Sequence, residues 1–567
     1  MENRLCALAL LNGVMVLAVA GCGGGSSPSS SNPTYTVGGT VSGLNANESV
    51  TLLNNGGDAQ TVSFNGSFSF SIGLPSGGTY GVTVQSQTPG LSCSASNGTG
   101  TVGSSNVTSV VVSCAAIPFT VNGTVSGLGA NETVTLLNNG GDALIVSGNG
   151  GFTFSTTQSV GSAYDVTVQS HTPGITCPVS KGGGTVGSSN VTGIVVSCAA
   201  GTESVLHSFS FGGGATDGVD PQASLIIDSA GNLYGTTEGG GTYVEGTVFK
   251  IDAAGTESIL YSFGSNVNDG TAPMAGLIMD SAGNLYGTTF SGGANSYYGT
   301  VFKISATGTE TILHSFGVIT SGDGGTPKAG VIMDSAGNLY GTTWTGGGPN
   351  NDGAVFEISA AGTESVLYSF PYGTNGNANP AASLIMDQAG NLYGTTIWGG
   401  ANNMGTVFEI SASGSESTLY SFGSSSTDAS DPEAPLIMDS DGNFYGTTDG
   451  GGAYNGGTVF KISAGGTESV LYSFGSSVGD GVNPLAGLLM DGSGNLYGTT
   501  YAGGANGDGA VFKISPDGTE SVLYSFGSSA TDGMQPAAGL IIDRAGNLYG
   551  TTETGGATNQ GTVFEIN

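Results

Sequence analysis

The sequence predicts an all-β protein: two tandem β-sandwich modules followed by a seven-bladed β-propeller closed by its N-terminal strand. Three observations predict it. Composition opposes helices, because Gly supplies 105 and Pro 18 of the 567 residues and charged residues only 9%, and Gly weakens a helix interior by about 1 kcal/mol relative to Ala. Residues 35–200 hold one repeat with an offset of 84 residues, and 201–567 holds a second with a period of 52 to 54. Within both, short runs of Val, Thr, Phe, Tyr and Ile alternate with Asn-Gly and Gly-Gly turns, the pattern of short strands.

The charge balance narrows function. There are 41 acidic and 8 basic residues, a net charge of −33. Nothing neutralises phosphates, so nucleic acid is excluded as a partner. An apolar content of 38%, with 21 Tyr and 23 Phe, also separates the chain from disordered acidic polymers.

Residues 1–21 read as a signal peptide. The apolar run Leu5–Ala20 is broken only at Asn12 and Gly13 and is shorter than the ~20 residues of a membrane span. It ends in VAGC (19–22), which resembles the lipobox of bacterial lipoproteins and implies lipid on Cys22. Gly23 resembles the next residue of lipoproteins passed to the outer membrane. The expected location is therefore the cell envelope, as an outer-membrane lipoprotein that is periplasmic or surface-exposed and touches the membrane only through its lipid. Residues 22–34 form a Gly/Ser-rich tether.

The two modules span 35–116 and 117–200. YTVGGTVSGL (35–44) recurs as FTVNGTVSGL (119–128), and SVTLLNNGGDA (49–59) as TVTLLNNGGDA (133–143). They resemble the tandem Ig-like or carboxypeptidase-regulatory-like modules of bacterial surface proteins, which act mostly as spacers. Cys93, Cys114, Cys177 and Cys198 allow three pairings. The two matching gaps of 21 residues favour 93–114 and 177–198.

The motif D-x-x-G-N-[LF]-Y-G-T-T starts at Asp228, Asp280, Asp334, Asp387, Asp439, Asp491 and Asp543. Each unit carries four strand-like runs, as one blade requires. The TES-type strand appears first at 202–209, and none follows the last VFEI strand, so 202–209 is expected to pair with 562–567. The runs GTVF[KE]I, TESVLYSF and GNLYGTT resemble the GloVer-type, choice-of-anchor tandem repeat of exported bacterial proteins. That resemblance covers 201–567 and implies export and a propeller-like repeat, without an activity. The pattern is also similar to NHL-type propellers.

The repeated Asp reads as a turn residue: it caps backbone N–H groups while Gly takes the left-handed position. The hairpin after each VF[KE]I strand is expected to set Lys250 opposite Glu257, with Lys303–Glu310, Lys461–Glu468 and Lys513–Glu520 alike. Like charges then face each other at Glu357–Glu364 and Glu409–Glu416, and Glu203 lies near Glu565. His207 and His314 stand where other units carry Tyr and read as ring substitutes; His171 lies in a module turn.

Two of the four connections in each unit vary in length and share one face, where binding usually lives. That face carries Asp217, Asp269, Asp323, Asp480 and Asp532, with variants at Asn375-Gly376 and Asp428-Ala429. It also carries Phe290, Trp344, Trp398 and Tyr501. Aromatics beside carboxylates suit a carbohydrate or a protein or peptide ligand. No Ser-His-carboxylate set or zinc spacing appears, so no catalytic or metal residue is assigned. No cofactor is expected beyond weak calcium at the Asp-Gly loops. The leading expectation is a monomeric, lipid-anchored surface binding or scaffold protein. A polysaccharide-binding propeller is the first alternative and a carbohydrate-active enzyme the second.

Overall fold

The protein is described by a computed structural model covering residues 32–211, 217–295, 297–317, 322–348, 352–371 and 378–567. The expected signal peptide, Cys22, most of the tether and Asn375-Gly376 lie outside the described residues. Every regular element among the described residues is a β-strand, and no helix is long and apolar enough to cross a membrane.

The chain divides into two compact units. One comprises residues up to Thr120 with Thr156–Ser162 and Thr185–Val191; the other comprises Val121–Ser155, Ala163–Gly184 and Thr192–Asn567. In the first unit, Val37–Ser42 lies parallel to Val107–Ala116, which pairs on its other side with Leu91–Ser96. A second sheet is built on Val50–Asn54 and Thr79–Gln87. Val37, Leu52, Phe70, Val110 and Val112 form the buried core between these strands. Cys93 and Cys114 face each other across the antiparallel pair and are bridged, and Cys177 is bridged to Cys198.

In the second unit, residues 203–566 make seven four-stranded antiparallel sheets. The first orders Ile226–Ile227, Leu233–Thr237, Thr247–Ile251 and Glu257–Ser262. Five more repeat this order. The last contains Ile541–Ile542, Leu548–Thr552 and Thr562–Ile566, and its outer place is taken by Glu203–Ser208, antiparallel to Thr562–Ile566.

This topology corrects the expected fold. The all-β class stands. A seven-bladed propeller closed by its N-terminal strand does not: among the described residues the β-structure is split into eleven four-stranded and eight two-stranded sheets, and none is closed. The two sandwich modules are not shown either, since the compact units cut across the second copy. The sheet margins supply a physical reason. Before each short first strand the chain passes through a left-handed residue and a Pro, as at Asp220-Pro221 with φ +56° and Asn483-Pro484 with φ +59°. Pro lacks an N–H, so hydrogen-bonded ladders stop there and neighbouring sheets meet through side chains.

Those side-chain contacts are regular. Seven Phe pairs join successive sheets edge to face, from Phe209–Phe249 at 5.2 Å to Phe526–Phe564 at 4.9 Å. Such geometry contributes about 0.5–1.5 kcal/mol per pair beyond burial. The Phe packs over the Gly of the neighbouring LYGTT strand; a Cβ on Gly341 would stand 2.6 Å from Phe356 Cζ. The first Thr of each Thr-Thr pair donates to a buried carbonyl of another sheet, Thr236 to Ala275 and finally Thr551 to Ala223, at 3.0 and 3.1 Å.

The five-residue turn Asp252–Thr256 sets the last hairpin. Asp252 accepts from Ala254 N and Thr256 N, and Ile251 pairs with Glu257, which leaves Lys250 opposite Ser258. The expected Lys–Glu pairs are therefore one residue out of register, and Lys303, Lys461 and Lys513 also face Thr or Ser. Lys250, Lys303 and Lys461 lie over Tyr rings of the adjacent strand at 5.2–5.6 Å. Ser204, not Glu203, pairs with Glu565.

Candidate functional site

The repeated Asp turns are satisfied internally. Asp228 Oδ1 accepts from Ala230 N and Asn232 N, and Oδ2 accepts from Asn232 Nδ2 and the Tyr234 hydroxyl. Partial burial pushes this carboxyl up, but the Asn232, Tyr234 and Ala230 bonds outweigh it and hold it below the usual range. A groove of about 580 Å³ between the Asp387 and Asp439 turns is lined by such residues. Its Asp carboxylates are the turn residues already satisfied within each repeat.

A different cavity gathers all seven repeats. It has a volume of about 130 Å³ and is lined by the segment after each repeat's Pro, from Gln222-Ala223-Ser224 through Lys328 and Glu433 to Ala537-Ala538-Gly539. The column just after Pro reads Gln222, Met274, Lys328, Ala381, Glu433, Leu485 and Ala537. The column just after Thr-Thr reads Glu238, Phe290, Trp344, Ile397, Asp449, Tyr501 and Glu553. The loop holding them is stitched alike in every repeat: Glu238 N donates to Asp220 O, Trp344 N to Thr326 O and Tyr501 N to Asn483 O. The backbone bonds stay constant while the side chains of these two columns diverge.

Around the cavity the divergent side chains form two linked sets. In one, Gln222 Nε2 donates to Glu238 at 2.8 Å and to Glu553 at 3.5 Å, and Tyr501 adjoins Glu553. Burial, then Asp220 and Glu553, push the Glu238 carboxyl up. In the other, Lys328 Nζ sits 3.6 Å from the centre of the Trp344 ring, and Trp344 meets Trp398 at 6.0 Å. Burial and Asp449 push Glu433 up while Lys328 pulls it down. Burial lowers Lys328 against the opposing pull of Glu433. Asn483 donates to Asp449 at 2.8 Å. Trp398 remains 48% exposed.

The residues proposed from sequence fall in two places. Trp344 and Trp398 are brought together, Tyr501 reaches the Glu553 set, and Phe290 follows Thr289 on the same loop. Asp269, Asp480 and Asp532 lie deep: each accepts from the N–H of the Ser four residues before it and from a Tyr hydroxyl, as Asp269 does from Ser265 and Tyr261 at 2.8 and 2.9 Å. Asp428 makes the same bonds with Tyr420 and Ser424. Asp217 and Asp323 stand beside His207 and His314. Sequence reasoning missed Gln222, Lys328, Glu433, Glu238 and Glu553. The signal was in the repeat columns, where the residue after Pro and the residue after Thr-Thr differ from repeat to repeat.

Fold and cavity together define an all-β tandem-repeat protein with one pocket assembled from equivalent loops. Residues 174–389, 298–489 and 379–567 each match the Gloeobacter/Verrucomicrobia repeat. These matches cover more than half of the chain, and the protein belongs to that family. No curated protein matches the sequence. Among solved structures, a protein of unknown function from Bacteroides thetaiotaomicron is similar at 13% identity and TM-score 0.37, over 77% of this chain and 90% of that one. The extracellular domain of a putative hybrid two-component system from B. thetaiotaomicron is similar at 14% identity and TM-score 0.41, over 69% of this chain and 45% of that one. A putative 6-phosphogluconolactonase from Bacteroides uniformis is similar at 16% identity and TM-score 0.37, over 57% and 87%.

Proposed function

We propose that this repeat protein is a binding or scaffold protein of the bacterial cell envelope, with its ligand seated on the loops around the seven-repeat cavity. The observation that carries this reading is the divergence, on a repeated backbone, of the column that lines the cavity and of the column after Thr-Thr that contacts it. At about 130 Å³ the cavity is smaller than the ~300–1,000 Å³ that engulfs a small molecule. A ligand therefore lies across the mouth and inserts at most a terminal group. That favours part of a larger molecule over a small substrate enclosed for catalysis.

Chemistry at the mouth favours a carbohydrate polymer. The half-exposed Trp398 supplies a flat apolar face, and Glu238, Glu553, Glu433 and Asp449 supply acceptors for hydroxyl groups. The test is a glycan array probed with the full chain and with Trp398→Ala and Glu433→Gln. The reading expects a restricted set of glycans to be retained by the wild type and lost in both variants. No retention, or retention unaffected by either change, refutes it.

A further inference from the structure

Successive sheets also meet along their outer strands. In four repeats a Tyr there donates to the carboxylate of the following loop at 2.8–3.1 Å, as Tyr524 does to Asp532. In two others the place is taken by His207 and His314, whose Nε2 atoms stand 3.4 Å from Asp217 and Asp323. That is longer than the 2.7–2.9 Å of a charge-assisted hydrogen bond. A third side chain completes each group from the next sheet. Glu257 joins His207 and Asp217, and Glu364 joins His314 and Asp323, with one ligand atom from each residue all within 4.8 Å of one another. Glu257 Oε1 and Glu364 Oε1 are buried without a hydrogen-bond partner.

We propose that His207, Asp217 and Glu257, and separately His314, Asp323 and Glu364, form two binding sites for a divalent transition-metal ion of the zinc or manganese type. Imidazole with two carboxylates is a donor set such ions accept. Ligands 2.0–2.2 Å from a tetrahedral ion lie about 3.3–3.6 Å apart, which matches the His–Asp distance of 3.4 Å; the Glu oxygen, within 4.8 Å of the other ligand atoms, has to close in by up to about 1.5 Å. Each loop carboxylate is already oriented from behind. Asp217 Oδ2 accepts from Ser210 N at 2.9 Å, and Asp323 Oδ2 from Gly317 N at 2.7 Å, the outer support that ligating carboxylates need.

Three protein ligands leave the remaining positions to water. Each ion links the outer strand of one sheet to that of the next. At the first site this ties Glu203–Ser208, which is paired with Thr562–Ile566, to the sheet containing Glu257–Ser262. The role is a structural staple that also neutralises facing carboxylates.

Calorimetric titration of the chelator-treated full chain with zinc chloride tests the proposal. The wild type is expected to take up two ions, His207→Tyr and His314→Tyr one each, and the double variant none. Without metal the variants should melt with the wild type, because Tyr is native to this place in other repeats. Zinc should raise the melting temperature most in the wild type, less in each single variant and not at all in the double His variant. Glu257→Gln with Glu364→Gln, which keeps side-chain shape, should weaken both sites at least tenfold. Absence of zinc uptake by the wild type, unchanged stoichiometry in the double His variant, or unchanged affinity in the double Gln variant overturns the proposal.

Discussion

Raising the pH from 5 to 8 should destabilise the seven-sheet unit. Glu203, Glu310, Glu468 and Glu520 stand on outer strands with Oε1 buried and unpartnered, and Asp269, Asp480 and Asp532 likewise have a buried Oδ1 without a partner. Burial first, then the neighbouring Asp, push each of these Glu carboxyls up to about 7. A carboxyl raised in the folded state favours folding while protonated. Its contribution is full below the unfolded value near 4.5 and is lost as pH rises through 7. At about 1.4 kcal/mol per pH unit the unscreened effect is about 3 kcal/mol each. These groups are only half-buried, and screening reduces it to roughly 1 kcal/mol each, about 4 in all. At ~2 °C per kcal/mol for a unit this large, the melting temperature should fall by roughly 8 °C between pH 5 and 8. The assay is calorimetry in chelator-containing buffers, with Glu310→Gln, Glu468→Gln and Glu520→Gln combined as a control that flattens the slope. A melting temperature that is constant or rises from pH 5 to 8 refutes the reasoning.

Further outcomes follow from packing and turns. Phe209→Ala removes a fully buried ring from the contact with Phe249 and should cost about 3–5 kcal/mol in urea unfolding. Gly341→Ala drives a Cβ against Phe356 and should cost about 1–3 kcal/mol by the same measurement. Replacing both Cys93 and Cys114 by Ala opens a bridge across a sequence separation of 21 and should lower the stability of the first unit by about 3 kcal/mol. Below pH 4 the Asp228-type turns, whose carboxyls are held low, lose their contribution. Stability should therefore also decline on the acid side.

Much of the repeat unit was legible in the sequence because its signals are local. The D-x-x-G-N turn and the alternation in LYGTT and VFKI act within a few residues, and the matched Cys spacings within one module. What lay beyond reach depends on side chains brought together by packing. One residue in the Asp252–Thr256 turn decided whether Lys250 met Glu257 or Ser258, and counting along the chain put it wrong. The closed propeller failed as an expectation because strand patterns do not say where hydrogen-bonded ladders stop. The Pro after each left-handed residue does. Lys328 and Glu433 belong to no local motif, and only the fold sets them on one cavity. His207 and Glu257, from different sheets, meet only in three dimensions.

Tryptophan fluorescence tests the central claim most directly, because the only two Trp in the sequence, Trp344 and Trp398, stand together beside this cavity. The full chain is titrated with soluble polysaccharides, alongside Lys328→Met and Glu433→Gln. The account predicts a saturable change in emission with at least one polysaccharide, weakened at least tenfold in both variants while their melting temperatures stay near that of the wild type. Emission that no polysaccharide alters, or a response the two variants retain in full, would contradict it.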